Sequence, residues 1–222
     1  MLPFCIAIAI TTNNKPQSEK VLLKVNAVKN QRFEYINDIE MTNPDIGNLH
    51  ARFGMRYFVT SVTPTEISED VAITSNAFSG SSLVGTPEIA HAKFEGAKCR
   101  RKLNFAGNIL FEGGPLMAPI GMPFDLVFAV NPVAIGDSWT VPTESAHLNR
   151  VMVNFKLLGF TKDEATISGE TEKREDLETL KPFTFVVDRM TGRCKSSSGK
   201  FRIQVAGSDY EVSVDRTMIP PK

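Results

Sequence analysis

The chain has 222 residues, with 25 Lys+Arg against 25 Asp+Glu, 42% hydrophobic and 23% charged residues, 15 Gly and 13 Pro. That composition belongs to a globular chain with enough apolar content for a core. It excludes a disordered chain, a coiled coil, a collagen and a multi-span membrane protein, and the zero net charge excludes a nucleic-acid binder that works by bulk cationic excess.

The chain opens on an apolar run, Leu2–Ile10, that ends at Thr11-Thr12-Asn13-Asn14. The run is too short to span a bilayer, which takes ~20 residues. Ala7-Ile8-Ala9 is an A-x-A-like processing site, so residues 1–14 read either as the remnant of an export signal or as an apolar first strand. The first reading implies an extracytoplasmic protein of the periplasm or cell envelope; the second implies a cytoplasmic one.

Strand signals dominate from there. Val21, Leu23, Val25 and Ala27 alternate with Leu22, Lys24 and Asn26, and Phe33 and Tyr35 follow with the same period of two. Asn43-Pro44 then resembles a helix N-cap and first turn, and Ile46, Leu49 and Phe53 fall at helical spacing, which predicts a short helix. Tyr57–Val62 is a strand, Thr63–Glu66 a turn, and Val71–Ser75 the return strand. Thr86-Pro87-Glu88 makes a second helix start that Gly96 would stop. Residues 113–123, rich in Pro and Gly, read as a linker. Beyond it, Val151, Val153, Phe155 and Leu157 line one face of a strand, and Thr161–Glu164 turns the chain into Ala165–Glu170. Phe183, Phe185 and Val187 lead into a hairpin turn at Asp188–Gly192, then Phe201, Ile203 and Val205. Ala206–Asp209 is a further turn, and Tyr210–Asp215 is the cleanest alternation in the chain.

Alternation of this kind marks antiparallel sheet with one wet face. The expected fold is all-β, or β-rich with one or two short helices. It takes the form of a curved antiparallel sheet or half-barrel, or of two packed sheets, in a single domain over residues 15–222. The halves 15–112 and 124–222 look alike. Met55–Thr63 and Met152–Phe160 are each a strand followed by a charged turn and a return strand, and Cys99 and Cys194 fall at matching places downstream. An internal duplication would let two half-sheets share one core.

Pro132–Trp139, a strand such as Val151–Phe160, and Phe185–Gly192 together resemble uncharacterised bacterial envelope β-proteins that carry a G-D-x-W turn, here Gly136-Asp137-Ser138-Trp139. The likeness covers roughly the last 95 residues. By fold analogy it implies a curved half-barrel of the lipoprotein-carrier type.

Motifs for chemistry are few. His50, His91 and His147 have no metal-spaced partners, and the zinc-protease, P-loop, dinucleotide and nucleophile-elbow patterns are missing, so neither cofactor nor metal is expected. Ser197-Ser198-Gly199-Lys200 matches S-x-x-K without its companion motifs and reads as a polar stretch between strands. The three cysteines, Cys5, Cys99 and Cys194, are too far apart for a C-x-x-C site. In an oxidising compartment Cys99 and Cys194 would form a disulfide; otherwise they are buried thiols. Lys98, Arg100, Arg101 and Lys102 surround Cys99 and read either as an anionic-contact patch, suited to a membrane surface, or as a charged edge strand.

With 15 Phe against 3 Tyr and 1 Trp, aromatic rings either fill a core or line an apolar groove. The functional expectation is a non-enzymatic, extracytoplasmic binding or scaffold protein. Its apolar or lipid-like ligand would lie on the concave sheet face against Phe124, Phe128, Trp139 and Phe155. The alternatives are a hydrolase or other enzyme built on His91 or His147 with a distant carboxylate, and a module that pairs with a protein partner through an edge strand.

Overall fold

A computed structural model describes residues 19–45, 47–81, 94, 96–113, 124–145, 149–205 and 207–220. Residues 1–14, the linker beyond Gly113, and the predicted helix at Thr86–Gly96 except Phe94 and Gly96 lie outside the described residues.

Among the described residues all thirteen elements are strands. The N-terminal run gives β1 (Lys20–Val21), β2 (Arg32–Asn43), β3 (Gly47–Val62), β4 (Ile67–Gly80), β5 (Lys98–Leu103) and β6 (Ile109–Gly113). The C-terminal run gives β7 (Val133–Ala134), β8 (Ser138–Ser145), β9 (Asn149–Phe160), β10 (Glu164–Thr171), β11 (Leu177–Asp188), β12 (Cys194–Val205) and β13 (Ser208–Ile219). Eleven of them form one antiparallel sheet in the order β6-β5-β4-β3-β2-β13-β12-β11-β10-β9-β8, while β1 pairs with β7 in a small second sheet. The large sheet curves into a nearly closed half-barrel. Each half is a simple meander, and the two join where β2 pairs with β13, with Ile39 opposite Val214. The turns Thr63–Glu66 and Thr161–Glu164 are closed alike: in each the Thr N–H donates to the Glu carbonyl and the Thr hydroxyl accepts from the Glu N–H at 3.1 Å.

Period-two patterning sets the interior. Phe33, Tyr35 and Ile39 on β2, Val151 to Leu157 at odd numbers on β9, and Phe183, Phe185 and Val187 on β11 all face one shared core. The predicted helix over 43–53 is instead the end of β2, a turn at Pro44-Asp45 and the start of β3. The helical reading of Ile46, Leu49 and Phe53 overlooked a second period in the same residues. Ala51, Phe53 and Met55 are buried while Asn48, His50 and Arg52 are exposed, and pairing with β2 from Arg32↔Phe58 to Asn43↔Gly47 selects that alternation.

Two segments of the chain fill the interior. Val21, Leu23 and Val25 are buried in alternation, as their spacing predicts, although only Lys20–Val21 pairs as strand. Val25 N–H donates to the Phe105 carbonyl in the first half, and Asn26 N–H donates to the Thr191 carbonyl in the second. Gly192 makes this crossing possible. It has φ +65°, and a Cβ there would lie 1.9 Å from the Lys24 carbonyl oxygen. The second segment, Phe124–Phe128, is held by the Phe128 N–H bond to Ala106 and by the Trp139 indole N–H, which donates to Val127 at 2.8 Å.

Candidate functional site

Two charged strands lie side by side, and their alternation sorts the charges. On β5 the basic cluster faces carboxylates of β4 across the register Asp70↔Arg100, Glu69↔Arg101 and Ser68↔Lys102. Arg100 meets Asp70 at 2.9 Å, Arg101 meets Glu69 at 3.0 Å and Lys102 meets Glu66 at 3.0 Å. Lys98 is exposed. The basic run and the acidic run Glu66–Asp70 therefore form a ladder of cross-strand pairs. Its outer members are solvated, and exposed pairs of this kind contribute little.

Parity turns Glu69 and Arg101 inward. Glu69 follows Ile67 and precedes Val71 on the buried face, and its side chain is 0% exposed. A buried carboxylate needs a charge partner, and Glu69 has two. Arg101 donates to one oxygen, and Arg193, arriving from the loop before β12, donates to the other. Burial pushes the Glu69 carboxyl up, but Arg101 and Arg193 hold it below the usual carboxylate range. Because Glu69 and Arg193 are 124 residues apart, the pair ties the first meander to the second.

Aromatic rings frame these cations. Arg193 lies over Phe33 at 4.4 Å, Arg101 over Tyr57 at 4.8 Å and Arg216 over Tyr35 at 4.1 Å. Arg216, on β13, also donates to the Tyr57 hydroxyl at 2.9 Å. Burial pushes the Tyr35 phenol up to about 12, against the opposing pull of Arg216 and Arg193. Burial alone would lower the Arg216 guanidinium, yet Tyr57, Tyr35, Cys194 and Asp125 raise it above its ordinary value. Arg101, Arg193 and Arg216 line one cavity of about 70 Å³, together with Tyr35, Asp125 and Ser197. That is room for a few waters or one small ion, far below the roughly 300–1,000 Å³ of a site for a drug-sized ligand.

The four rings expected to contact a ligand do come near one another, but as packed core. Phe124, Phe128 and Phe155 are 0–2% exposed. Phe124 meets Phe155, Phe183 and Phe185 at 5.0–6.1 Å, and Trp139 stacks on Phe155 at 5.8 Å. The chain's own 124–128 segment occupies the concave face where a groove was expected. Two inward glycines make room for the rings: a Cβ on Gly199 would lie 2.5 Å from Phe183, and one on Gly169 would lie 2.9 Å from Phe155.

A larger opening lies at the seam where the half-barrel fails to close. There Gly107, Asn108 and Ile109 leading into β6 approach Pro142 and Thr143 of β8, with Val127, Asp125 and Arg150 completing a cleft of about 260 Å³. Next along β6, Leu110 and Phe111 are 55% and 53% exposed. Both seam strands are sheet edges, and Pro142 suits an edge because it has no N–H to offer a neighbour.

Cys99 and Cys194 are free thiols, so the expected disulfide is not formed. They sit on β5 and β12, with β4, β3, β2 and β13 between them. Cys99 lies 3.7 Å from the Glu112 carboxylate, and burial together with that charge pushes its thiol up to about 12. Burial pushes the Cys194 thiol up to about 11. Basic neighbours therefore do not activate Cys99. His91 and His147 lie outside the described residues, and His50 is exposed on β3, 3.7 Å from Asp38. Among the described residues no group of three His, Cys, Asp or Glu side chains could hold a metal ion, and no helix is long and apolar enough to cross a membrane.

Reading by motif missed Glu69, Asp125, Arg193 and Arg216. For two of them a signal was available: Glu69 and Arg216 occupy inward parity in Ile67-x-Glu69-x-Val71 and Val212-x-Val214-x-Arg216. A charge at an inward position of a strand announces a buried partner.

No family model matches the chain, and no curated protein sequence matches it. The likeness to envelope β-proteins thus gains no support from sequence comparison. Among solved structures, one of lipovitellin, described for its lipid–protein interactions, is similar in fold, with a TM-score of 0.58 at 10% identity over 87% of this chain. The match takes in 25% of that protein's chain, so this chain spans about a quarter of its length. At that identity the likeness is one of fold: a large, curved, antiparallel sheet.

Proposed function

We propose that the protein is a non-enzymatic binding or scaffold protein that holds an apolar or lipid-like ligand and works outside the cytoplasm, at an envelope or membrane surface. The observation that carries this reading is the open seam. The 260 Å³ cleft brings Ile109, Val127 and Pro142 together beside the exposed Leu110 and Phe111. An apolar chain seated there would cover surface that a globular protein rarely leaves bare. The packed aromatic core at Phe124, Phe128, Trp139 and Phe155 becomes the floor that supports the seam, rather than the contact surface itself. Two further observations support the reading: the fold likeness to a structure described for its lipid–protein interactions, and the Ala7-Ile8-Ala9 sequence within a short apolar run, which favours export.

Titration with a fluorescent fatty acid tests it. The reading expects saturable one-to-one binding in roughly the micromolar range, weakened at least tenfold by Ile109→Asp at the seam. Absence of saturation, or equal binding by the variant, would overturn it.

A further inference from the structure

We propose that the arginine-lined cavity between β5, β12 and β13 is a binding site for a small singly charged oxyanion, a carboxylate in the first instance. Donors and volume point the same way. Arg101, Arg193 and Arg216 line the cavity, against the carboxylates of Glu69 and Asp125. The three guanidiniums are matched by carboxylates, since Glu112 acts on Arg101 alongside Glu69 and Asp125, so an added anion would be held by free hydrogen-bond donors rather than by excess charge. The donors carry the case. Arg193 is 6% exposed, and its buried Nε–H has no hydrogen-bond partner; the Nε–H of Arg216 is buried and unpartnered as well. Buried donors of this kind are nearly always satisfied, and a guanidinium edge suits the two oxygens of a carboxylate. The volume of about 70 Å³ admits an ion of acetate or phosphate size and excludes anything much larger. Tyr35 and Ser197 complete the lining with hydroxyl groups.

The inference is independent of the seam. The seam cleft shares Gly107 and Asp125 with the cavity but none of the three arginines. Failure of one leaves the other standing.

The test follows thermal unfolding of the full chain against acetate and inorganic phosphate, with ionic strength held constant by a bulky sulfonate buffer. A bound anion raises the midpoint along a saturating curve. Arg216→Lys, which keeps the charge but loses the planar pair of donors, is expected to raise the half-saturating concentration at least about tenfold. Ser197→Ala is the milder second variant and is expected to raise it roughly threefold through one lost hydroxyl. If Arg216→Lys does not fold, Ser197→Ala decides alone. A midpoint that climbs linearly without saturating, or that moves equally in wild type and variants, would overturn the site by showing only general salt stabilisation. A fatty acid that competes with acetate would identify the anion as a head group. One that does not would identify a free small carboxylate, and the site stands in either case.

Discussion

Replacing Glu69 by Gln isolates the buried network in one step. The amide keeps the shape of the side chain and removes its charge. Arg101, 3.0 Å from one oxygen, and Arg193, bonded to the other, would then face each other across a site that is 0% exposed at Glu69. Removing one partner of a buried ion pair costs about 3–5 kcal/mol. Gln retains one acceptor oxygen, which places the expected loss near the lower figure, about 3 kcal/mol. With a urea slope of about 2–3 kcal/mol/M for a chain of this size, the unfolding midpoint should fall by roughly 1–1.5 M. Arg100→Gln is the control. Its bond to Asp70 is as short, at 2.9 Å, but both side chains are exposed, at 64% and 43%. That variant should leave the midpoint where it is. The pH dependence adds a second reading. Glu69 is held below its ordinary value near 4.5, so its contribution is complete above that pH and is lost as the pH falls through the lower native value. Wild type and Glu69→Gln should therefore converge in acid. Equal midpoints for Glu69→Gln and Arg100→Gln at neutral pH would refute the argument that burial decides between two pairs of equal length.

The alkaline side gives the opposite sign. Tyr35, Cys99 and Cys194 rise from 10.0, 9.0 and 9.0 to about 12, 12 and 11, so between about pH 9 and 11 the native state holds more protons than the unfolded chain. Stability should fall as pH rises through that window, by up to about 1.4 kcal/mol per unit for each group, and a urea midpoint unchanged from pH 8 to 10.5 would contradict it. Gly192→Ala should cost about 2–3 kcal/mol, because positive φ and contact with the Lys24 carbonyl act together. Gly136→Ala, with φ +92° but open space around it, should cost about 1–2 kcal/mol; equal midpoints for the two would remove the contact as a cause. Finally, a thiol reagent should label Cys99 and Cys194 at a rate that follows unfolding, and labelling faster than unfolding would contradict their inert, protonated state.

Strand alternation made most of the fold legible. It identified β9, β11 and β13 and the turns at Thr63–Glu66, Thr161–Glu164 and Asp188–Gly192, because the period of two is unbroken over Val151–Leu157, Phe183–Val187 and Tyr210–Asp215 and the turn residues are distinctive. Residues 43–53 misled because Asn43-Pro44 is equally good helix-start and hairpin chemistry, and only pairing with β2 decides between them. Ring burial was legible, but its consequence was not. Fifteen Phe residues suit a core or a groove alike, and the choice depends on where residues 124–128 cross the sheet, a contact with no local signature. The disulfide failed for a similar reason. Matching positions in two halves say nothing about distance across the sheet, and four strands separate the thiols. The basic cluster was visible as a charge run, but its neutralisation by Glu66, Glu69 and Asp70 needed the β4–β5 register.

The central functional claim is that the seam between β6 and β8 holds an apolar ligand. A native mass spectrum of the protein, purified without detergent and then incubated with a mixture of fatty acids and phospholipids, tests it most directly. The account predicts one bound lipid per chain, lost in Ile109→Asp. A spectrum showing only the bare protein mass, or the same adducts on wild type and variant, would contradict it.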